Sequence, residues 1–237
     1  MMMPFARAVL LLVVTVLFAL TPALAPPVTG YDPSLFPIQI ARPAIQPAGY
    51  AFAIWGVIYV WLITHAVFGV WIKRDVPEWD APRLWLTAAA ALGALWLVVS
   101  PDIPRTATGV IWAMMIAAIA AFLCTPTTPD RWMLSAPTAM LAGWVSAAAA
   151  VALGVVLARD GILSDTASAI AMLVLVLGIA VSVQRRRSDM PVYGLTVIWA
   201  LGGVIWANRS DNVTVALAAA LGVVIMAMAV FAPRRRI

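Results

Sequence analysis

No aspartate or glutamate interrupts any of the eight apolar runs in this chain, and that distribution constrains the fold more than any motif does. All ten carboxylates (Asp32, Asp75, Glu78, Asp80, Asp102, Asp130, Asp160, Asp165, Asp189 and Asp211) lie between the runs. A charge at the centre of a bilayer costs at least about 2.5 kcal/mol, so a chain laid out this way is expected to cross a membrane repeatedly. Composition agrees: 64% of the residues are apolar and 11% charged, against roughly 45–50% and about 25% in soluble domains. Allowing about 20 residues per crossing, the sequence predicts helices near 5–25, 48–72, 84–100, 107–124, 134–157, 167–183, 191–207 and 213–231. The expected fold class is all-α, a polytopic membrane helix bundle of eight spans.

The cations set the direction of threading. With the N-terminus inside, the inner segments hold Arg7, Lys73, Arg74, Arg83, Arg131, Arg185, Arg186, Arg187, Arg234, Arg235 and Arg236, and the outer segments hold only Arg42, Arg105, Arg159 and Arg209. This excess fits an even number of spans with both termini cytoplasmic, in what is expected to be the inner membrane of a bacterium. The pI of about 10.1 then reflects topology and attraction to anionic lipid, and nucleic acid is not an expected partner. The first run also resembles a secretory signal, with Arg7, an apolar stretch and Ala23-Leu-Ala25 as a small-residue cleavage site. Retention is the preferred reading, because the stretch is long enough to span when tilted.

The longest polar connection, Pro26 to Gln46, carries Pro26, Pro27, Pro33, Pro37 and Pro43, with Pro47 just beyond. Those prolines predict an ordered cap rather than a helix. The other connections are short, so sequential helices are expected to be antiparallel neighbours. Ser146, Ala150 and Gly154 recur at every fourth position, and Ala88 to Ala91 line the third span, as close helix contacts in membranes prefer. The single cysteine, Cys124, excludes an internal disulfide.

Aromatic residues supply the one specific feature. Phe52, Trp55 and Tyr59 fall three and four residues apart, so on a helix their rings lie along one face. The topology also puts Tyr50, Trp96, Trp112 and Trp206 in the outer half of the membrane. These rings are expected either to form an interfacial belt, the reading that also suits Trp71, Trp79, Trp85 and Trp132 near the inner surface, or to converge and line a pocket that favours a flat conjugated guest.

From Pro47 to Trp61 the chain resembles the tryptophan-rich sensory protein or translocator family (TspO/MBR). Long members carry P-A-G-W-A-F-x-I-W-G-x-I-Y. Pro47, Gly49, Phe52, Trp55 and Tyr59 match that pattern, and Tyr50 stands where it has tryptophan. The step from Phe52 to Trp55 is one residue shorter than in the five-helix members. Leu95-Trp96 is similar to the L-W of the family's third helix, and Gly143-Trp-Val-Ser-Ala147 to its fifth-helix W-V-S-x-A, but the asparagine that follows there is replaced by apolar residues around Ala152. The resemblance implies a five-helix core over residues 1–158, with 159–237 as a three-helix extension. It also implies a pocket under the first extramembrane loop that takes tetrapyrroles such as porphyrin or haem.

The seventh span adds a second arrangement. Trp199 and Trp206 lie seven residues apart on one stripe with Gly202 and Gly203 between them. The two indoles would bracket a slot about 10 Å long, unless a neighbouring helix presses on the glycines. His65 is the only histidine and lies in the inner half of the second span. It is either hydrogen-bonded to a neighbouring helix or an axial ligand to a metallated tetrapyrrole. About 15 Å of helix separate it from Trp55, so it cannot serve the outer rings.

One histidine and one cysteine make no metal site, no carboxylate pair lies within the spans, and no glycine-rich phosphate loop occurs. The chain is therefore expected not to be an enzyme, and no cofactor is required. The reading is a membrane-embedded sensor or carrier of a planar hydrophobic ligand, most readily a porphyrin, held by Tyr50, Phe52, Trp55, Tyr59, Trp96, Trp112, Trp199 and Trp206. A homodimer is compatible with it. The alternatives are an assembly subunit packed against partner membrane proteins and a passive transporter of a hydrophobic molecule.

Overall fold

A computed structural model describes residues 3–24, 30–127 and 130–231. Ala25, Pro26, Pro27 and Arg234 to Arg236, which figure in the sequence reading, lie outside these residues.

The described residues form eight long helices and one short one, with no strand among them. They are α1 (Pro4–Leu24), α2 (Ile54–Trp71), the short α3 (Pro77–Asp80), α4 (Arg83–Val99), α5 (Pro104–Cys124), α6 (Ser135–Arg159), α7 (Asp165–Arg186), α8 (Val192–Asn208) and α9 (Val213–Phe231). Each expected span is present. The second begins later than expected because Gly49–Ala53 winds as a 3-10 turn ahead of α2. α5 starts earlier, with Pro104 in its first turn, where the missing N–H costs nothing. α7 starts earlier because the Ser164 hydroxyl caps it by accepting from Ala167 N.

Seven helices are long and apolar enough to cross a membrane, counting the 3-10 turn with α2 and α3 with α4. The chain is an integral multi-pass membrane protein. α8, with 17 residues, is shorter. It still runs from one end of the bundle to the other: Tyr193 stacks on Phe122 at the end of α5, while Asn208 donates to Ala44 O in the opposite loop. Asn208 is buried there.

α6 stands at the centre, against α5, α7 and α8 and along α2. α1 lies between α2 and α4, and α9 closes the far side on α7 and α8. Small side chains let α6 take so many neighbours. A Cβ on Gly143 would fall 2.6 Å from Tyr193 O, so the α6–α8 approach requires glycine there. One turn on, the Ser146 hydroxyl meets the Tyr193 hydroxyl at 3.0 Å. Further along, Ser168 Oγ of α7 donates to Gly154 O at 2.6 Å. On α4, Gly93 leaves room for the ring of Phe18 from α1.

Charge pairs divide by side. Arg7 with Asp80, Lys73 with Asp130 and Arg187 with Asp189 lie at one end. Arg42 with Asp211 and Arg105 with Asp160 lie at the other. At the end that holds Arg7 and Asp80, Arg83 and Arg187 cap helix C-termini with their guanidinium groups. Arg83 donates to Gly69 O and Lys73 O at the end of α2, and Arg187 to Phe122 O and Thr125 O at the end of α5.

Candidate ligand cavity

The loop between α1 and α2 closes over the bundle as an ordered cap in its described part, residues 30–46. Tyr31 and Phe36 are buried. The Tyr31 hydroxyl bonds to Thr108 Oγ1 of α5 at 3.1 Å. Arg159, the last residue of α6, donates to Tyr31 O at 2.7 Å and twice to Ile40 O. Asp165 of α7 accepts from Ala44 N, and Asn208 of α8 donates to Ala44 O. Just after the loop, Ala48 N donates to Gly203 O of α8 at 3.0 Å. Four helices thus hold one loop. Gly30 is at φ +151°, and a Cβ there would lie 3.0 Å from Gln46 Nε2, so this turn of the loop specifically suits glycine.

Beneath the cap lies an apolar cavity of about 80 Å³. Gly30, Tyr31, Ile45, Gln46 and Pro47 form its roof, with Phe52 beside them and Trp96 reaching in from α4. α6 supplies Trp144, Ala147, Ala148, Val151, Ala152 and Val155, α7 supplies Leu173 and Val176, and α8 supplies Val197, Ala200, Leu201 and Val204. The void exists because alanines occupy positions where larger side chains would fill it. It could hold several waters by volume, since one needs roughly 10–15 Å³, but an apolar lining gives them few partners.

The expected site residues separate into groups. Phe52 and Trp96 line the cavity. Trp55 and Tyr59 stack on each other at 5.4 Å and both take the edge of Phe18 from α1, at 5.8 and 5.1 Å. The α2 face that carries them therefore packs on α1, and Trp55 reaches the cavity only through its edge contact with Trp144 at 6.1 Å. Trp112 is half-buried on α5 and does not line the cavity.

Tyr50, Trp199 and Trp206 are 46%, 42% and 55% exposed and also stand outside the cavity. Tyr50 meets Trp199 edge-on at 5.5 Å, Trp199 Nε1 donates to Ala51 O, and Arg209 lies over the Trp206 ring at 4.2 Å. The stretch between Trp199 and Trp206 is covered in part: a Cβ on Gly202 would meet only the Tyr50 hydroxyl, at 4.0 Å, whereas Gly203 is closed off. Pro47 and Ala51 press on Gly203, where an added Cβ would come within 2.8 and 2.9 Å of them. His65 lies at the end of the bundle that holds Asp130, buried, with Nδ1 bonded to Met133 O at 2.8 Å and its ring stacked on Trp79 at 5.0 Å. The carbonyl can only accept, so Nδ1 carries the proton. Among the described residues no three His, Cys, Asp or Glu side chains converge as a metal site.

Three groups escaped the sequence reading: Trp144, the loop residues of the roof, and the walls from α7 and α8. Trp144 is 2% exposed and takes Phe52 edge-on at 5.8 Å. Its motif was visible, but nothing in one sequence showed that this indole faces the same space as Phe52 and Trp96. Burial pushes the Tyr31 hydroxyl above the usual phenol range, with Thr108 and the nearby Trp96 indole partly opposing this. Trp96 Nε1 nonetheless does not reach hydrogen-bond geometry.

A loop-capped, aromatic-sided cavity in an all-helical membrane bundle is the arrangement implied by the Pro47–Trp61 resemblance. Comparison with family models gives a match to the one described as TSPO-like protein, over residues 6–232. The chain belongs to the TSPO-like family. The match runs through α7, α8 and α9 as well as the first five spans, so the walls that α7 and α8 give the cavity lie inside the TSPO-like region. Neither the curated proteins nor the solved structures contain a match.

Proposed function

We propose that this TSPO-like chain is a membrane-embedded binding protein, acting as sensor or carrier, for a flat hydrophobic molecule held in the cavity beneath residues 30–46. The observation that carries this reading is the cavity itself, an apolar space with aromatic sides in the outer half of the bundle. Edge and face contacts with Phe52, Trp96 and Trp144 would each add about 0.5–1.5 kcal/mol beyond burial. A tetrapyrrole is the ligand that the family resemblance suggests. Typical ligand pockets measure about 300–1,000 Å³, so a whole porphyrin would have to displace Phe52 or lift the cap.

The direct test is quenching of tryptophan emission when protoporphyrin is titrated into protein purified in detergent. Saturable quenching should occur, and Phe52→Leu with Trp96→Leu should weaken it at least tenfold without lowering the melting temperature to match. Trp199→Leu with Trp206→Leu should leave affinity unchanged. Equal loss from both pairs, or no saturable quenching, would refute the cavity as the binding site for this ligand.

We also place both termini on the cytoplasmic side, on the strength of the cation distribution. Cys124, exposed at the inner end of α5, tests this placement. A membrane-impermeant maleimide should label it in inverted vesicles and not in right-side-out ones, and the opposite result would reverse the orientation.

A further inference from the structure

The cavity walls combine a complete lack of charge with two buried indole donors that have no partner, Trp96 Nε1, which lies close to the Tyr31 hydroxyl, and Trp144 Nε1. No Asp, Glu, Lys, Arg or His lines the space. The nearest strong cation, Arg159, is buried with its guanidinium engaged by Tyr31 O and Ile40 O in the roof. The Tyr31 hydroxyl is bonded to Thr108, and Gln46 has an interaction of its own. The Trp144 indole lines the cavity and is 2% exposed, yet its Nε1 has no hydrogen-bond partner. A buried donor without an acceptor costs roughly 1–3 kcal/mol, and buried polar atoms in native proteins are nearly always paired. The cost disappears if the occupant brings an acceptor.

We infer that the part of the ligand enclosed in the cavity is uncharged, flat and apolar, with a carbonyl-type oxygen that accepts a hydrogen bond from Trp144 Nε1. The inference rests on the binding role proposed above and narrows it. A carboxylate in this space would find no cation and only neutral indole donors, and a buried charge without a counter-charge is far more costly than an unpaired dipole. The site therefore rejects a small acid whose carboxylate would be enclosed, and a porphyrin fits this rule only with its propionates projecting out of the cavity. A hydrocarbon of that shape enters but leaves the indole N–H unpaired, which makes it the weaker ligand. Selection runs through one atom of α6 rather than through the rings, which hold any flat guest.

Three probes of one ring system separate these cases: fluorenone, fluorene and a fluorenone carboxylate, titrated into the full-length protein in detergent or nanodiscs. Fluorenone should bind about tenfold more tightly than fluorene, and the carboxylate should not bind measurably. Trp144→Phe should abolish the preference by weakening fluorenone to the level of fluorene, with fluorene itself unchanged. If that variant does not fold, wild-type protein labelled at its indole nitrogens gives the same answer: one Nε1–H resonance should shift downfield with fluorenone and not with fluorene. Equal binding of fluorenone and fluorene would overturn the acceptor requirement and leave the binding role standing. Binding of the carboxylate as tight as that of fluorenone would overturn the charge selection. Failure of all three to bind would overturn this inference together with the proposed role of the cavity.

Discussion

Arg159 Nη1 donates to the carbonyl of Tyr31 at 2.7 Å, so the residue that ends α6 also fastens the roof of the cavity that α6 helps to wall. The same guanidinium holds Ile40 O, and its face lies 5.4 Å from the Phe36 ring. Replacing it with methionine keeps apolar bulk and removes every donor. Arg159→Met should destabilise the fold by about 2–3 kcal/mol, the range for hydrogen bonds from a charged group. Amide exchange over residues 31–46 should rise more than exchange in the core of α6. Uniform protection across the loop in that variant would show that the other ties suffice.

The α6–α8 seam depends on a missing side chain. Gly143→Ala would drive a methyl to within 2.6 Å of the backbone oxygen of Tyr193, which cannot swing away. The expected cost is about 1–3 kcal/mol, read as a lower melting temperature in detergent. Gly178→Ala, at a position where a Cβ meets nothing within 4 Å, serves as the neutral control.

Asp130 supplies the pH dependence. Its carboxylate accepts from Lys73 Nζ at 2.8 Å and from Trp79 Nε1 at 3.0 Å, which lowers its pKa below the usual carboxylate value near 4. A depressed folded-state pKa gives stability that is complete above the unfolded value and is lost as pH falls through the folded one. Both side chains are about a quarter exposed, so solvent screening limits the contribution to about 1 kcal/mol or less. Wild type should lose its margin over Asp130→Asn only as the pH is taken below the ordinary carboxylate value near 4, and melting curves of the two should converge as the pH falls further. Asparagine tolerates the positive φ of 62° at this position, so the comparison isolates charge.

His65 is a structural residue in this arrangement. Its Nδ1–H bonds to Met133 O and its ring covers Trp79. His65→Phe should cost about 1–3 kcal/mol, because the carbonyl loses its donor. Ligand affinity should stay the same, because the ring lies far along α2 from the cavity. A change in the Soret band of haem-loaded protein on this substitution would revive the axial-ligand reading.

How far the sequence reaches can be seen in particular residues. The eight helices follow from where charges are absent, and the two-sided ion pairs, such as Lys73 with Asp130 and Arg42 with Asp211, follow the segregation of cations. Phe52 and Trp96 were identifiable by ring type and depth. Trp199 and Trp206 were misplaced because α8 is nearly uniform in hydropathy around its circumference. In lipid, unlike water, an apolar residue facing outward incurs no penalty, so periodicity does not reveal which face turns inward. The cavity was not legible either: its walls are alanines of α6 with branched apolar residues of α7 and α8, and a void is defined by what four helices and a loop leave unfilled. Trp144 could be recognised in its motif, but the absence of a partner for its nitrogen is a tertiary fact.

The cavity sits at the join where α6 meets α7 and α8, so an occupant would touch both parts of the bundle together. Filling it would glue the first five spans to the last three, and emptying it would loosen that joint. Occupancy would therefore be felt as a change in the mechanical stiffness of the whole membrane-embedded body.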